Sequence, residues 1–154
     1  MAGLDPEYIV DMVIAQIEGN IPSLLEAIME EHKDDIELED IAKYCITDLG
    51  TVPKLPVMFV LCTSAEILAE MPSYTQAAYN LTLAVMVKDP NEERLKRKLY
   101  RYMQALQACI KVFPSLGWNL TVRGIEYSAL YPEQQYISDA RLLCRMVVHE
   151  TVLA

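Results

Sequence analysis

Glycine is scarce in this sequence, five in 154 residues, and none of the five builds the glycine-rich loop that cradles phosphates. Histidine is scarcer, with His32 and His149 the whole supply. HExxH, GxSxG and CxxC are all missing, so the sequence offers no template for zinc hydrolysis, serine hydrolysis or structural zinc. The four cysteines, Cys45, Cys62, Cys109 and Cys144, stand far apart inside apolar runs and read as buried reduced thiols. No run approaches the ~20 apolar residues of a membrane span. The first residues lack the basic flank and apolar stretch of a secretion signal. A cytoplasmic protein without membrane contact is therefore expected. Positive charge is also short, with 13 Lys and Arg against 22 Asp and Glu, a net −9. Such a chain is poorly suited to wrapping nucleic acid, which needs several cations per face to neutralise phosphates. It is not unsuited to standing beside DNA that must pass without sticking.

Apolar residues, in contrast, are plentiful at 53%, with a mean hydropathy of +0.15. Either a well-filled core or apolar surface reserved for partner subunits accounts for that. The length suits one domain over residues 1–154.

Local signals divide the chain into helices and strands. Asp5, Pro6 and Glu7 are a cap, a first-turn proline and a first-turn acid, and Ile9, Met12, Val13 and Ile17 follow at helical spacing. Gly19-Asn20 predicts the end of that helix and Pro22 the start of a second, through Leu24, Leu25, Ile28 and Met29. Residues 41–49 carry a weaker helical pattern. Between Pro53 and Pro56 the period changes, and Val57-Met58-Phe59-Val60-Leu61-Cys62 reads as a buried strand. After a loop at Met71-Pro72-Ser73, the alternation of Tyr79, Leu81, Leu83, Val85 and Val87 gives a second strand. Asp89-Pro90-Asn91-Glu92 predicts a long amphipathic helix, with Leu95, Leu99, Tyr102, Met103, Leu106, Cys109, Ile110 and Phe113 on its apolar stripe. Pro114 and Gly117 stop it. In the next strand the parity of Trp118, Leu120 and Val122 passes to Ile125, Tyr127 and Ala129 at Arg123-Gly124, as a β-bulge would arrange. A polar turn at residues 131–135 leads to a last strand, apolar on both faces around Leu142, Leu143, Cys144, Met146, Val147 and Val148. The sum is an α+β fold in the order α-α-β-β-α-β-β. It has a mostly antiparallel four-stranded sheet, N-terminal helices and one long helix between two β-hairpins.

Two charged groups are candidate sites. Asp34, Asp35, Glu37 and Glu39 could be oxygen ligands for a divalent cation. The alternating spacing and glycine of a calcium loop are absent, which favours a solvated acidic segment and implies no metal. Arg94, Arg97, Lys98 and Arg101 form a basic stripe along the long helix. It reads as a solvated helix back beside Glu92 and Glu93, as a nucleic-acid contact lacking interleaved aromatics, or as a subunit interface. In the last case it would meet the acidic segment of a neighbouring copy, making all eight residues a candidate interface. His32, among acids, reads as a solvated side chain, and His149, beside Glu150, as structural rather than catalytic.

Three patterns together resemble the tail terminator (tail completion) proteins of long-tailed bacteriophages. They are Leu55-Pro56-Val57-Met58-Phe59-Val60 opening the first hairpin, Leu81-Thr82-Leu83-Ala84-Val85-Met86-Val87 running into Asp89-Pro90-Asn91-Glu92, and a basic amphipathic helix before two final strands. The resemblance runs from the N-terminal helix to Val152, and related neck proteins share it. It implies a non-enzymatic virion protein, assembled in the host cytoplasm, that needs no cofactor and forms a hexameric ring. Such a ring caps the finished tail tube, meets the tube protein and the head-neck connector protein, and lets DNA through its lumen without specific binding. The competing class is a ferredoxin-like ligand-binding or regulatory module, with a pocket around Arg123, Tyr127 and Arg141.

Overall fold

The computed structural model describes residues 5–47, 54–72, 74–111, 118–128 and 136–151. The proline and glycine breaks predicted at Pro53, Pro114 and Gly117, the turn at 131–135, and the side chain of His149 lie outside the described residues.

Helix α1 runs unbroken over Pro6–His32. The sequence predicts two helices here, and the difference has a packing cause. Ile17, Ile21, Leu25 and Ile28 continue one buried stripe straight through Gly19, Asn20 and Pro22, and burial of each such side chain is worth about 1.5–3 kcal/mol. That outweighs the ~3 kcal/mol cost of an interior proline. Asn20 does not break the helix either, because its side-chain amide donates back to the carbonyl of Gln16 at 2.7 Å. The helix ends at Lys33, which takes the left-handed conformation at φ 51° and donates its N–H to the Met29 carbonyl at 3.0 Å. Its start is as predicted, with the Asp5 carboxylate accepting from the Tyr8 N–H at 3.1 Å.

Residues 41–49 also depart from the helical expectation. Lys43–Cys45 form a short strand, β1, parallel to the start of β2, Val57–Glu70. Three residues are too few for periodicity to separate strand from helix. β2 and β3, Tyr74–Lys88, make a long antiparallel hairpin that extends well beyond the predicted strands. Helix α2 follows over Glu92–Lys111, then β4, Trp118–Tyr127, and β5, Ile137–Thr151. The sheet therefore has five strands rather than four, in the order β1-β2-β3-β5-β4, with every pairing antiparallel except β1 to β2. The fold is α+β, with two helices and a mostly antiparallel sheet.

Both helices pack on one face of that sheet. Ala77, Tyr79, Leu81, Leu83, Val85 and Val87 of β3, with Leu142, Cys144, Met146 and Val148 of β5, meet Leu95, Leu99, Met103 and Leu106 of α2 and the buried stripe of α1 in one core. A smaller cluster, Cys45, Val57, Phe59 and Ala84, lies on the opposite face. The predicted bulge is present, because the β4–β5 register shifts between Val122 and Gly124. Among the described residues no helix is long and apolar enough to cross a membrane.

Candidate assembly surface

The Asp89-Pro90-Asn91-Glu92 start predicts Asp89 as the cap of α2, and the structure sets the cap two residues later. Asn91, not Asp89, caps it, its side-chain oxygen accepting the Arg94 N–H at 2.9 Å. Asp89 instead accepts the Asn91 N–H at 2.9 Å and the Lys98 ammonium at 3.1 Å, in a nearly buried pair. Burial pushes the Asp89 carboxyl up, but those two partners outweigh it and hold it below the usual carboxylate range.

The basic stripe meets the acidic segment within one chain. Arg101, itself buried, grips Asp34 with two hydrogen bonds of 2.9 and 2.6 Å. Arg94 reaches Asp35 at 3.3 Å. Arg97 pairs with Glu93 at 3.1 Å across one helical turn, an exposed contact worth about 0.3–0.5 kcal/mol. Behind these charges, Ile36 and Leu38 turn into the core, and the Tyr102 hydroxyl donates to the Glu39 carbonyl. The segment after α1 is thus strapped along α2 while its four carboxylates stay exposed to solvent, as the solvated reading expects. The hydrogen bonds from Arg101, then the Ile36 N–H and the Arg101 charge, overcome desolvation and lower the Asp34 pKa to about 2. Burial, reinforced by Glu39, Asp40 and Glu37, pushes the Tyr102 hydroxyl the other way, above the ordinary phenol range. Of the eight predicted interface residues, Arg94, Lys98, Arg101, Asp34 and Asp35 have charge partners inside the chain. Glu37 and Glu39 face outward, as does Arg97 with its bridge to Glu93.

The three residues predicted for a ligand pocket are not brought together. Tyr127 packs on the helix side, edge-on to Tyr100 at 5.1 Å with Lys96 Nζ 5.4 Å from its ring centre. Arg141 alternates with the core residues Ala140 and Leu142, so it faces the other side of the sheet, where it bridges Asp139 at 3.1 Å. Arg123 sits exposed at the β4 bulge. A cavity of about 410 Å³ does lie beside Leu55, Pro56, Tyr102 and Tyr136, but its Lys98 and Asp89 already satisfy each other. Among the described residues no buried side-chain polar atom is left without a partner, and no group of His, Cys, Asp and Glu is placed to hold a metal ion. Cys45, Cys109 and Cys144 are buried free thiols; burial raises the pKa of Cys109 to about 11 and that of Cys144 to about 12.

Exposed apolar side chains follow a different plan from the charges, one the sequence reading did not locate. Ile67, Leu68 and Met71 stand exposed on and just after β2, while Val122, Tyr127 and the stacked Tyr100 stand exposed along β4. Ile67 and Tyr100 are each about half open, at 51% and 50%. Among the described residues the flanks of the sheet thus carry most of the large exposed apolar side chains, Tyr8, Ile46 and Tyr136 being the others. These flanks are also edges. β1 covers only Val57, Phe59 and the residue between them, so among the described residues β2 has no neighbour from Val60 onward, and β4 has none beyond β5. The signal available in the sequence was a loss of alternation after Cys62, where Ala65, Ile67, Leu68 and Ala69 mix with Glu66 and Glu70.

No protein-family model matches the chain, and no curated protein matches it. A search of solved structures found a chain of the virion of a native gene transfer agent (GTA) particle. The two share 12% identity over 86% of this chain and 93% of that chain, with a TM-score of 0.46.

Proposed function

We propose that this chain is a structural subunit of a phage-like particle, one that assembles with copies of itself into a ring. Within that reading its place is the tail terminator or neck. There it caps the tail tube, meets the tube protein on one side and the head-neck connector on the other, and leaves a passage for DNA. The observation that carries the assembling role is the gathering of exposed apolar side chains along both uncovered edges of one sheet. Exposed apolar edges are sites where chains join, and a monomer that stays alone normally guards them. Two different edges on one molecule make a head-to-tail contact, and head-to-tail contacts close into rings when the rotation allows. The tail-terminator assignment rests on the resemblance in element order and strand patterns, which also supplies the expected six copies. An acidic net charge suits a passage for DNA, because phosphates are not held by it. Arg97, with its bridge to Glu93, and Glu37 and Glu39 face outward, where they can add register between copies.

Light scattering on the purified protein over a concentration series tests the reading. The expected outcome is a mass rising toward six times 17.5 kDa. A strict monomer at every concentration would contradict it.

A further inference from the structure

The two uncovered edges are matched in direction, height and length. β2 runs antiparallel to β3, β3 to β5, and β5 to β4, so β2 and β4 point in opposite directions. A rotation about an axis roughly along the strands preserves those directions. It sets β4 of one copy antiparallel to β2 of the next, the pairing with the better-formed ladder. Height follows from the registers. The free part of β2, from Val60↔Leu83 to Glu70↔Thr75, lies level with residues 75–83 of β3. β4 runs from Trp118, opposite Val148 and hence level with Ala77, to Tyr127, opposite Ala140 and hence level with Val85. The two free edges thus overlap across most of their length. β1 covers β2 only where it pairs with residues 84–86 of β3, so it leaves open the stretch that lies level with most of β4.

Composition agrees. Natural sheets guard edges with lysine or proline, and neither the free part of β2 nor β4 contains either residue. Both edges have bulges, between Cys62 and Ser64 and between Ile67 and Ala69 on β2, and between Val122 and Gly124 on β4. Bulges can blunt an edge by twisting it; here the β4 bulge and the first β2 bulge fall at nearly the same height, so they interrupt the two edges at one level. Glu66 and Glu70 are the only charges on the free part of β2, whereas β4 presents Arg123 and the neighbouring Lys96 as well as Glu126. Tyr100, Val122 and Tyr127 flank one edge, and Ile67, Leu68 and Met71 the other.

We infer that β4 of one copy adds antiparallel to the free edge of β2 of the next copy, so that the sheets of successive subunits join into one. This rests on the ring-subunit reading and specifies its contact. The backbone supplies affinity, and Leu120, Val122 and Ile125 of β4, which the registers set level with Ala65, Cys62 and Val60 of the neighbouring β2, supply selectivity.

Two variants test it in the full chain. Ile67→Lys with Leu68→Lys closes the β2 edge, and Val122→Lys with Tyr127→Lys closes the β4 edge; all four positions are exposed. Circular dichroism confirms folding, and the single changes Leu68→Lys and Val122→Lys replace any double variant that fails to fold. Each variant alone should run as a monomer of 17.5 kDa, and an equimolar mixture should form a species of twice that mass and nothing larger. In that species the open edge of one variant pairs with the open edge of the other. The pairing is overturned if either variant alone keeps the wild-type mass, if either alone dimerises, or if the mixture stays monomeric. A wild type that is itself monomeric sinks the ring reading together with this contact. A wild-type assembly untouched by both variants sinks the contact alone.

Discussion

Arg101 has left the solvent almost entirely, and Asp34 is the group that makes its burial tolerable. The pair is geometrically strong, with both guanidinium nitrogens engaged, and it pins the segment after α1 to α2 beside Ile36 and Leu38. Its signature is a pH dependence. The Asp34 carboxyl titrates near 2 in the folded chain against an ordinary 3.8. A lowered folded pKa gives stability that is complete above the unfolded value and is lost as pH falls toward the folded one. Asp34→Asn should therefore be less stable than the wild type at neutral pH, and the gap should close as pH drops from about 4 to about 2. Denaturant melts of both proteins across that range check it; a gap that stays constant to pH 2 would remove the ion pair from the account. The sequence displayed both partners, as a basic stripe and an acidic run. It could not show that they belong to one molecule, because only the left-handed turn at Lys33 brings the run back along α2.

At the scale of elements, what could be read in advance was whatever kept a period. The bulge at Gly124 betrayed itself by a change of parity, and the apolar stripe of α2 by its spacing. What breaks the period is not legible in this way. β2 beyond Cys62 alternates poorly because an edge strand open to solvent on both sides has no face to distinguish. The sequence predicts two helices in place of α1 because local breakers, Gly19 and Pro22, are visible in a sequence, whereas the sheet and α2 that hold them in line are not. The continuous helix makes a definite forecast. Gly19 is exposed in its middle, and a methyl group added there would meet nothing within 4 Å. Gly19→Ala should thus stabilise the fold by about 0.5–1 kcal/mol, visible as a higher thermal midpoint. Were the chain broken at Gly19-Asn20, as its local sequence suggests, the same change would bring no gain or a loss.

For the whole molecule, charge and apolar surface make opposite demands on assembly. Six copies at −9 each carry −54, and bringing them together is opposed by repulsion that salt screens. A contact made by backbone ladders and apolar side chains should therefore strengthen as salt rises, with assembly beginning at lower protein concentration in 0.5 M than in about 0.05 M salt. A contact carried by Arg97 against Glu37 and Glu39 would weaken instead, so the sign of the salt effect separates the two surfaces. The placement of both helices on one face has a further consequence. Two helices side by side need about 20 Å, and the four long strands beneath them span roughly 19 Å. Layers of equal width can be bent only one way without crushing the inner one: the helices must take the convex side, where the arc is longer. Copies joined along their strands would curl toward the face of Phe59 and Arg145, with the direction of curvature set inside each subunit before it meets another. A flat ribbon growing without limit is thereby disfavoured, and the growing arc is steered back toward its own first member.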